Sequence, residues 1–127
     1  MRFWKTSVMV ALLALPLVTG AAVALPDAAS AATATCAQYS WTNPNLGFAT
    51  VIPKAVMSYG STGPCVVILQ QELNFADKAG LQTDGKFGSL TQKAVETFQG
   101  SEPGCTGGVD GIAGKYTMSC LDVAGSG

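Results

Sequence analysis

Apolar and polar positions divide the chain at about residue 34. Before it, Val8 to Val18 is an apolar stretch interrupted only by Pro16; Arg2 and Lys5 precede it, and no further charge appears until Asp27. A basic start, an apolar core of this length and a following run of small residues read as a secretory signal peptide. Ala29-Ser30-Ala31 and Ala32-Thr33-Ala34 both fit the small-x-small cleavage pattern, so residues 1–34 are expected to be removed by a cut after Ala31 or Ala34. An uncleaved anchor competes, because the run from Thr6 to Pro26 is uncharged over 21 residues. Its second half of Ala, Gly and Pro, and the cleavage pattern directly after it, favour the signal peptide.

Beyond that point the pattern breaks up. Residues 35–59 carry Tyr39, Trp41, Phe48 and Tyr59 among Asn43-Pro44-Asn45, Gly47 and Pro53, which predicts an irregular extension. Gly63-Pro64 then marks a helix start, with glycine as cap and proline at the first helical position, where a missing N–H costs nothing. Val66, Leu69 and Leu73 give one apolar face and predict a helix from Pro64 to Asn74. Thr91, Ala94, Val95 and Phe98 predict a second helix after Gly88, ending by Gly100.

A repeat organises the rest. Asp84-Gly85-Lys86-Phe87-Gly88-Ser89-Leu90-Thr91 recurs 26 residues later as Asp110-Gly111-Ile112-Ala113-Gly114-Lys115-Tyr116-Thr117. In the shared D-G-x-x-G-x-x-T pattern, Asp-Gly makes a tight turn whose carboxylate accepts backbone N–H groups. The first glycine takes positive φ, the second caps a helix, and the threonine falls at its third position. A third helix therefore follows the second turn. The expected fold class is all-α, with three helices after the irregular extension and a flexible tail at 124–127.

Composition narrows the chemistry. With 127 residues the chain is expected to hold one domain, and with no histidine it excludes Ser-His-Asp and Cys-His nucleophilic systems and every histidine proton shuttle. Beyond the signal, five lysines face seven carboxylates and no arginine is present. Neither a broad basic field for nucleic acid nor a guanidinium fork for phosphate is available. Cys36, Cys65, Cys105 and Cys120 all lie in the exported part, at spacings of 29, 40 and 15 without a Cys-x2-Cys knuckle. Two disulfides are expected, and no metal or cofactor. Three pairings are open from sequence. The repeat favours one: Cys120 aligns with Ala94 at an inward position, Cys105 is its nearest candidate, and Cys65 is left for Cys36.

Read in order, Gly60-Ser61-Thr62-Gly63-Pro64, Val66-x-x-Leu69-Gln70-x-x-Leu73-Asn74, Asp84-Gly85-x-Phe87-Gly88-x-x-Thr91-x-x-Ala94-Val95-x-x-Phe98-Gln99 and Asp110-Gly111-Ile112-Ala113-Gly114-x-x-Thr117-x-x-x-Leu121 resemble the peptidoglycan-binding domain family of bacterial cell-wall proteins. The resemblance covers residues 60–121 and implies a compact three-helix bundle over residues 60–123 that serves as a non-catalytic wall-targeting module. Relatives often carry proline where this chain has Ser89 and Lys115, and tryptophan where it has Met118. With only residues 35–59 ahead of it, the module is expected to stand alone, a monomer secreted to the medium or the wall and free of the membrane once the signal is cut.

Peptidoglycan presents sugar rings and short peptides, which call for aromatic faces and neutral hydrogen-bonding groups. The candidate contacts are Gln70, Asp84, Phe87, Gln99, Asp110 and Tyr116. Each has a plainer reading. Phe87 and Phe98 sit at core-facing positions, and Asp84 and Asp110 explain their turns without a ligand; Tyr116 aligns with Leu90 on a helix flank and is the better exposed aromatic. Tyr39, Trp41 and Phe48 form either a sugar-stacking patch or a lid over the core tied down by Cys36, with the lid favoured. Two other functions stand beside wall binding: an interaction or inhibitor module acting on a wall hydrolase, and a hydrolase using Asp84 and Asp110 as acid and base. The repeat argues against the second, because one turn geometry accounts for both carboxylates.

Overall fold

The computed structural model describes residues 35–126, so the signal-peptide reading lies outside the described residues. Strands β1 (Gln38–Asn43) and β2 (Phe48–Pro53) are followed by helices α1 (Pro64–Asp77), α2 (Ser89–Ser101), α3 (Pro103–Thr106) and α4 (Lys115–Ser126). The all-α, three-helix expectation is thereby corrected: the chain is mostly helical, with four helices and a small two-stranded sheet among the described residues.

The segment expected to be irregular is largely an antiparallel hairpin, with Tyr39 opposite Ile52 and Trp41 opposite Thr50. Its turn-forming residues lie between the strands or at their ends. Pro44 and Gly47 are in the connecting loop, where Gly47 takes φ 84°, and Pro53 closes β2. The Asn43 carbonyl accepts the N–H groups of Leu46 and Gly47, and its side-chain oxygen accepts that of Asn45 at 2.8 Å. On β1, Gln38, Ser40 and Thr42 are exposed while Tyr39 and Trp41 pack against the core; Phe48, at the start of β2, is exposed.

A two-stranded hairpin is marginal alone. Here it packs on α4 and is tied to α1 by the Cys36–Cys65 disulfide. Asn43 is fully buried, and its amide donates to Ser119 Oγ on α4 at 2.7 Å. The second disulfide joins Cys105 of α3 to Cys120 of α4, so both bridges follow the pairing that the repeat favours.

Gly63 caps α1 and Pro64 stands in its first turn, as predicted, but the helix runs past Asn74 to Asp77, closing on Lys78 in the left-handed region at φ 51°. Likewise α4 continues through the expected tail to Ser126, because its last turns pack along α1. Val66, Leu69 and Leu73 from α1, Val95 and Phe98 from α2, and Met118, Cys120 and Leu121 from α4 meet in one core that Ile52, Met57, Phe87 and Ala113 complete. The chain before α1 is stitched to both turns. Met57 and Ala113 exchange backbone hydrogen bonds, and Gly63 and Phe87 donate to Gly85 and Ser61.

Candidate functional site

Each repeated turn is held from below by a buried glutamine of the preceding helix. Gln70 on α1 accepts the Gly85 N–H at 2.9 Å, and its amide donates to Asp84 Oδ1 at 3.1 Å, the Lys86 carbonyl at 3.0 Å and Thr91 Oγ1 at 3.2 Å. Gln99 on α2 repeats this around the second turn. It accepts from Asp110 and Gly111 and donates to Asp110 Oδ1 at 2.9 Å, the Ile112 carbonyl at 3.0 Å and Thr117 Oγ1 at 3.0 Å. In both turns the aspartate also accepts the N–H two residues on, from Lys86 and from Ile112. The Lys86 N–H and the Gln70 amide together hold the Asp84 carboxyl below the usual carboxylate range.

The burial sequence is the same in both copies. Asp84, Lys86, Ser89 and Leu90 are exposed while Gly85, Phe87 and Thr91 are buried; Asp110, Ile112, Lys115 and Tyr116 are exposed while Gly111, Ala113 and Thr117 are buried. Gly85 and Gly111 both sit at φ 74°, where a side chain is strained, and a Cβ on Gly85 would lie 3.1 Å from the Gly63 carbonyl. The turns are thus fixed by their interiors and display a defined set of outward residues.

Above the first turn lies an open groove of about 580 Å³, lined by Gly80, Leu81, Gln82, Asp84, Lys86 and the first turn of α2 from Gly88 to Thr91. Asn74 shapes one wall by donating to the Leu81 carbonyl at 2.9 Å and accepting the Leu81 N–H at 2.7 Å. Gly88 brings no side-chain cap to α2, and the first turn holds no acidic residue. Its unpaired N–H groups carry the positive end of the helix dipole. A second recess of about 270 Å³ shares Gly80, Leu81 and Leu90 with the groove and reaches Lys93 and Thr97.

The six predicted contacts separate into two groups. Gln70, Gln99 and Phe87 are buried and engaged inside the fold, though Gln70 also forms part of the groove's lining. Asp84 and Tyr116 reach the surface, Asp84 on the groove and Tyr116 against Trp41, with ring centroids 5.0 Å apart at 78°. Asp110 is exposed at the second turn. The structure therefore does not gather the six into one site. It adds Leu81, which packs partly against the core, and Lys86, Ser89 and Leu90, which lie outside the core faces. The signal that marks the last three is the repeat, in which Leu90 and Tyr116 occupy equivalent positions.

Another displaced carboxyl lies away from the groove. Burial pushes Glu72 on α1 up to about 7, and Asp122 across on α4 adds to the shift.

Residues 62–121 match the family described as "Putative peptidoglycan binding domain". The crystal structure of the SleB N-terminal domain superimposes with a TM-score of 0.52 at 32% identity, covering 58% of this chain and 97% of that domain. The chain belongs to the peptidoglycan-binding domain family. A search of curated proteins gave no match. The peptidoglycan-binding segment at 62–121 includes both glutamine-held turns and the whole groove, whereas β1 and β2 lie ahead of it. Trp41 thus comes from the hairpin and Tyr116 from the peptidoglycan-binding segment itself.

Proposed function

We propose that this protein is an exported, non-catalytic module that holds peptidoglycan in the groove at the start of α2. The observation that carries the reading is the groove's lining within the family segment. Leu81 and Leu90 offer apolar walls, Ser89 a neutral hydroxyl, Lys86 with the uncapped first turn of α2 a positive end suited to the carboxylate of a stem peptide, and the ionised Asp84 an acceptor for its N–H or ammonium groups. The carboxylates are poorly placed for acid–base work. Asp84 is held below the usual range, so it is ionised at neutral pH and has no proton to donate, and both aspartates are engaged in their turns.

The test is sedimentation with purified sacculi, using the oxidised protein expressed from the full chain in an exporting host. The protein is expected to pellet with the wall, to release no soluble wall fragments, and to lose most of its binding in a Lys86→Ala/Leu90→Ser double variant. Protein that stays in the supernatant at every salt concentration overturns wall binding. Fragment release that disappears in Asp84→Asn overturns the non-catalytic assignment.

A further inference from the structure

The second turn presents a surface equivalent to the groove's, built from different residues. Tyr116 stands where Leu90 stands and Lys115 where Ser89 stands, each exposed in both copies. At the first turn this position opens onto the groove; at the second, β1 brings Trp41 against it. The Trp41 and Tyr116 rings meet edge to face at 5.0 Å and 78°, and Lys115 Nζ sits over the Trp41 ring, 5.0 Å from its centre. Trp41 is half-buried and Tyr116 is 37% exposed. Among the described residues neither the Trp41 indole N–H nor the Tyr116 hydroxyl hydrogen-bonds to another protein group, and the indole N–H is not among the buried polar groups.

The geometry points to a second contact for the wall polymer, in which the corner formed by Trp41, Tyr116 and Lys115 takes a pyranose ring of the glycan strand. A sugar ring offers an apolar C–H face with hydroxyl and acetamido groups at its rim. An aromatic corner matches both parts, since the exposed Tyr116 ring receives the C–H groups while the indole N–H and the Lys115 ammonium seated over Trp41 reach the rim. A stem peptide finds its carboxylate partners in the groove, whereas an exposed ring set edge to face on a half-buried one suits a saccharide. The corner rests on the peptidoglycan reading and assigns the sugar half of the ligand to a surface that exists only because the hairpin covers the start of α4.

Trp4 and Trp41 are the only tryptophans, so a Trp4→Phe background leaves Trp41 as the single emitter. The exported, oxidised protein is titrated with a soluble tetramer of N-acetylglucosamine and, separately, with a free stem pentapeptide, following Trp41 emission. The tetramer is expected to change the emission saturably and the pentapeptide to leave it unchanged. Tyr116→Leu, which installs the residue of the first repeat and keeps an apolar side chain, is expected to weaken the tetramer's affinity roughly tenfold or more. Tyr116→Phe and Lys86→Ala are expected to retain it. No saturable response to the tetramer, an undiminished response in a folded Tyr116→Leu variant, or a response to the pentapeptide alone overturns the proposal. Sacculus sedimentation of the parent protein separates the two readings. A silent tetramer titration with intact sedimentation removes the sugar corner and leaves the groove, while absent sedimentation removes the groove reading itself.

Discussion

At the scale of the residue, the two glutamines decide whether the turns exist. Gln70 and Gln99 are each 1% exposed, and each satisfies a turn's backbone N–H, a backbone carbonyl, an aspartate and a threonine at once. Replacing either by leucine keeps the volume and removes every one of those bonds, leaving buried polar groups without partners. Such variants are expected to lose about 3 kcal/mol of stability, read from urea denaturation of the oxidised protein. Gln71 serves as the control, since it is exposed on the same helix and its leucine variant is expected to stay within about 0.5 kcal/mol of the parent. Equal stabilities for the Gln70 and Gln71 variants would contradict this account. These residues also mark what was legible in the sequence. The D-G-x-x-G-x-x-T repeat disclosed the turns, the capping glycines and the buried threonines, because those features are local. The glutamine below each turn is reached across the fold, and a polar residue beside an apolar face reads equally as a ligand contact until its burial is seen.

At the scale of the element, the same distinction separates the helices from the hairpin. The apolar faces of α1 and α2 appear in the sequence because helical period and core contact coincide at Val66, Leu69, Leu73, Val95 and Phe98. The hairpin was not legible, since β2 reads Phe-Ala-Thr-Val-Ile-Pro without clean alternation, and the hairpin is held by packing on α4, by Asn43 at the end of β1 and by the disulfide just before β1. The contact between α1 and α4 carries a pH dependence of its own. Glu72 titrates at about 7 in the folded protein against an ordinary value of 4.5, because burial penalises its charged form and Asp122 repels it. A raised carboxyl binds its proton more tightly folded than unfolded. Its contribution is therefore fully present below the unfolded value, fades as pH rises between the two values, and is gone above the folded one. Glu72→Gln has no proton to lose. It is expected to match the parent near pH 4 and to exceed it near pH 8 by about 1 kcal/mol, a figure reduced for the solvent that screens a partly exposed side chain. Comparing the two proteins at each pH cancels the opposite trend from Asp84, whose lowered carboxyl loses its stabilising bonds only as the solution becomes more acid than its ordinary range. A stability difference independent of pH would refute the assignment.

At the scale of the whole molecule, one unit of helix, glutamine-held turn and helix start is used twice, and α2 belongs to both copies. The copies share a burial pattern and differ in what they display: Lys86, Ser89 and Leu90 on an open groove, against Ile112, Lys115 and Tyr116 beside the hairpin. Charge is spread thinly over this surface. The residues beyond 34 hold five lysines and seven carboxylates, with Lys86 on the groove and Lys115 at the aromatic corner. Attraction to the wall then rests on at most two ionic contacts, together with apolar and neutral hydrogen-bonding surface that salt does not screen. The fraction of protein pelleting with sacculi is expected to fall by no more than roughly threefold between about 50 mM and about 500 mM sodium chloride, as the screening length shortens. Binding driven by many ion pairs to a polyanion behaves differently, because each released counterion steepens the loss. A collapse of several tenfold steps over that range would therefore place the attraction in the anionic polymers attached to a wall, and sacculi stripped of those polymers would no longer pellet the protein. Retention on stripped sacculi with a shallow salt response is the outcome that a groove and a ring corner require.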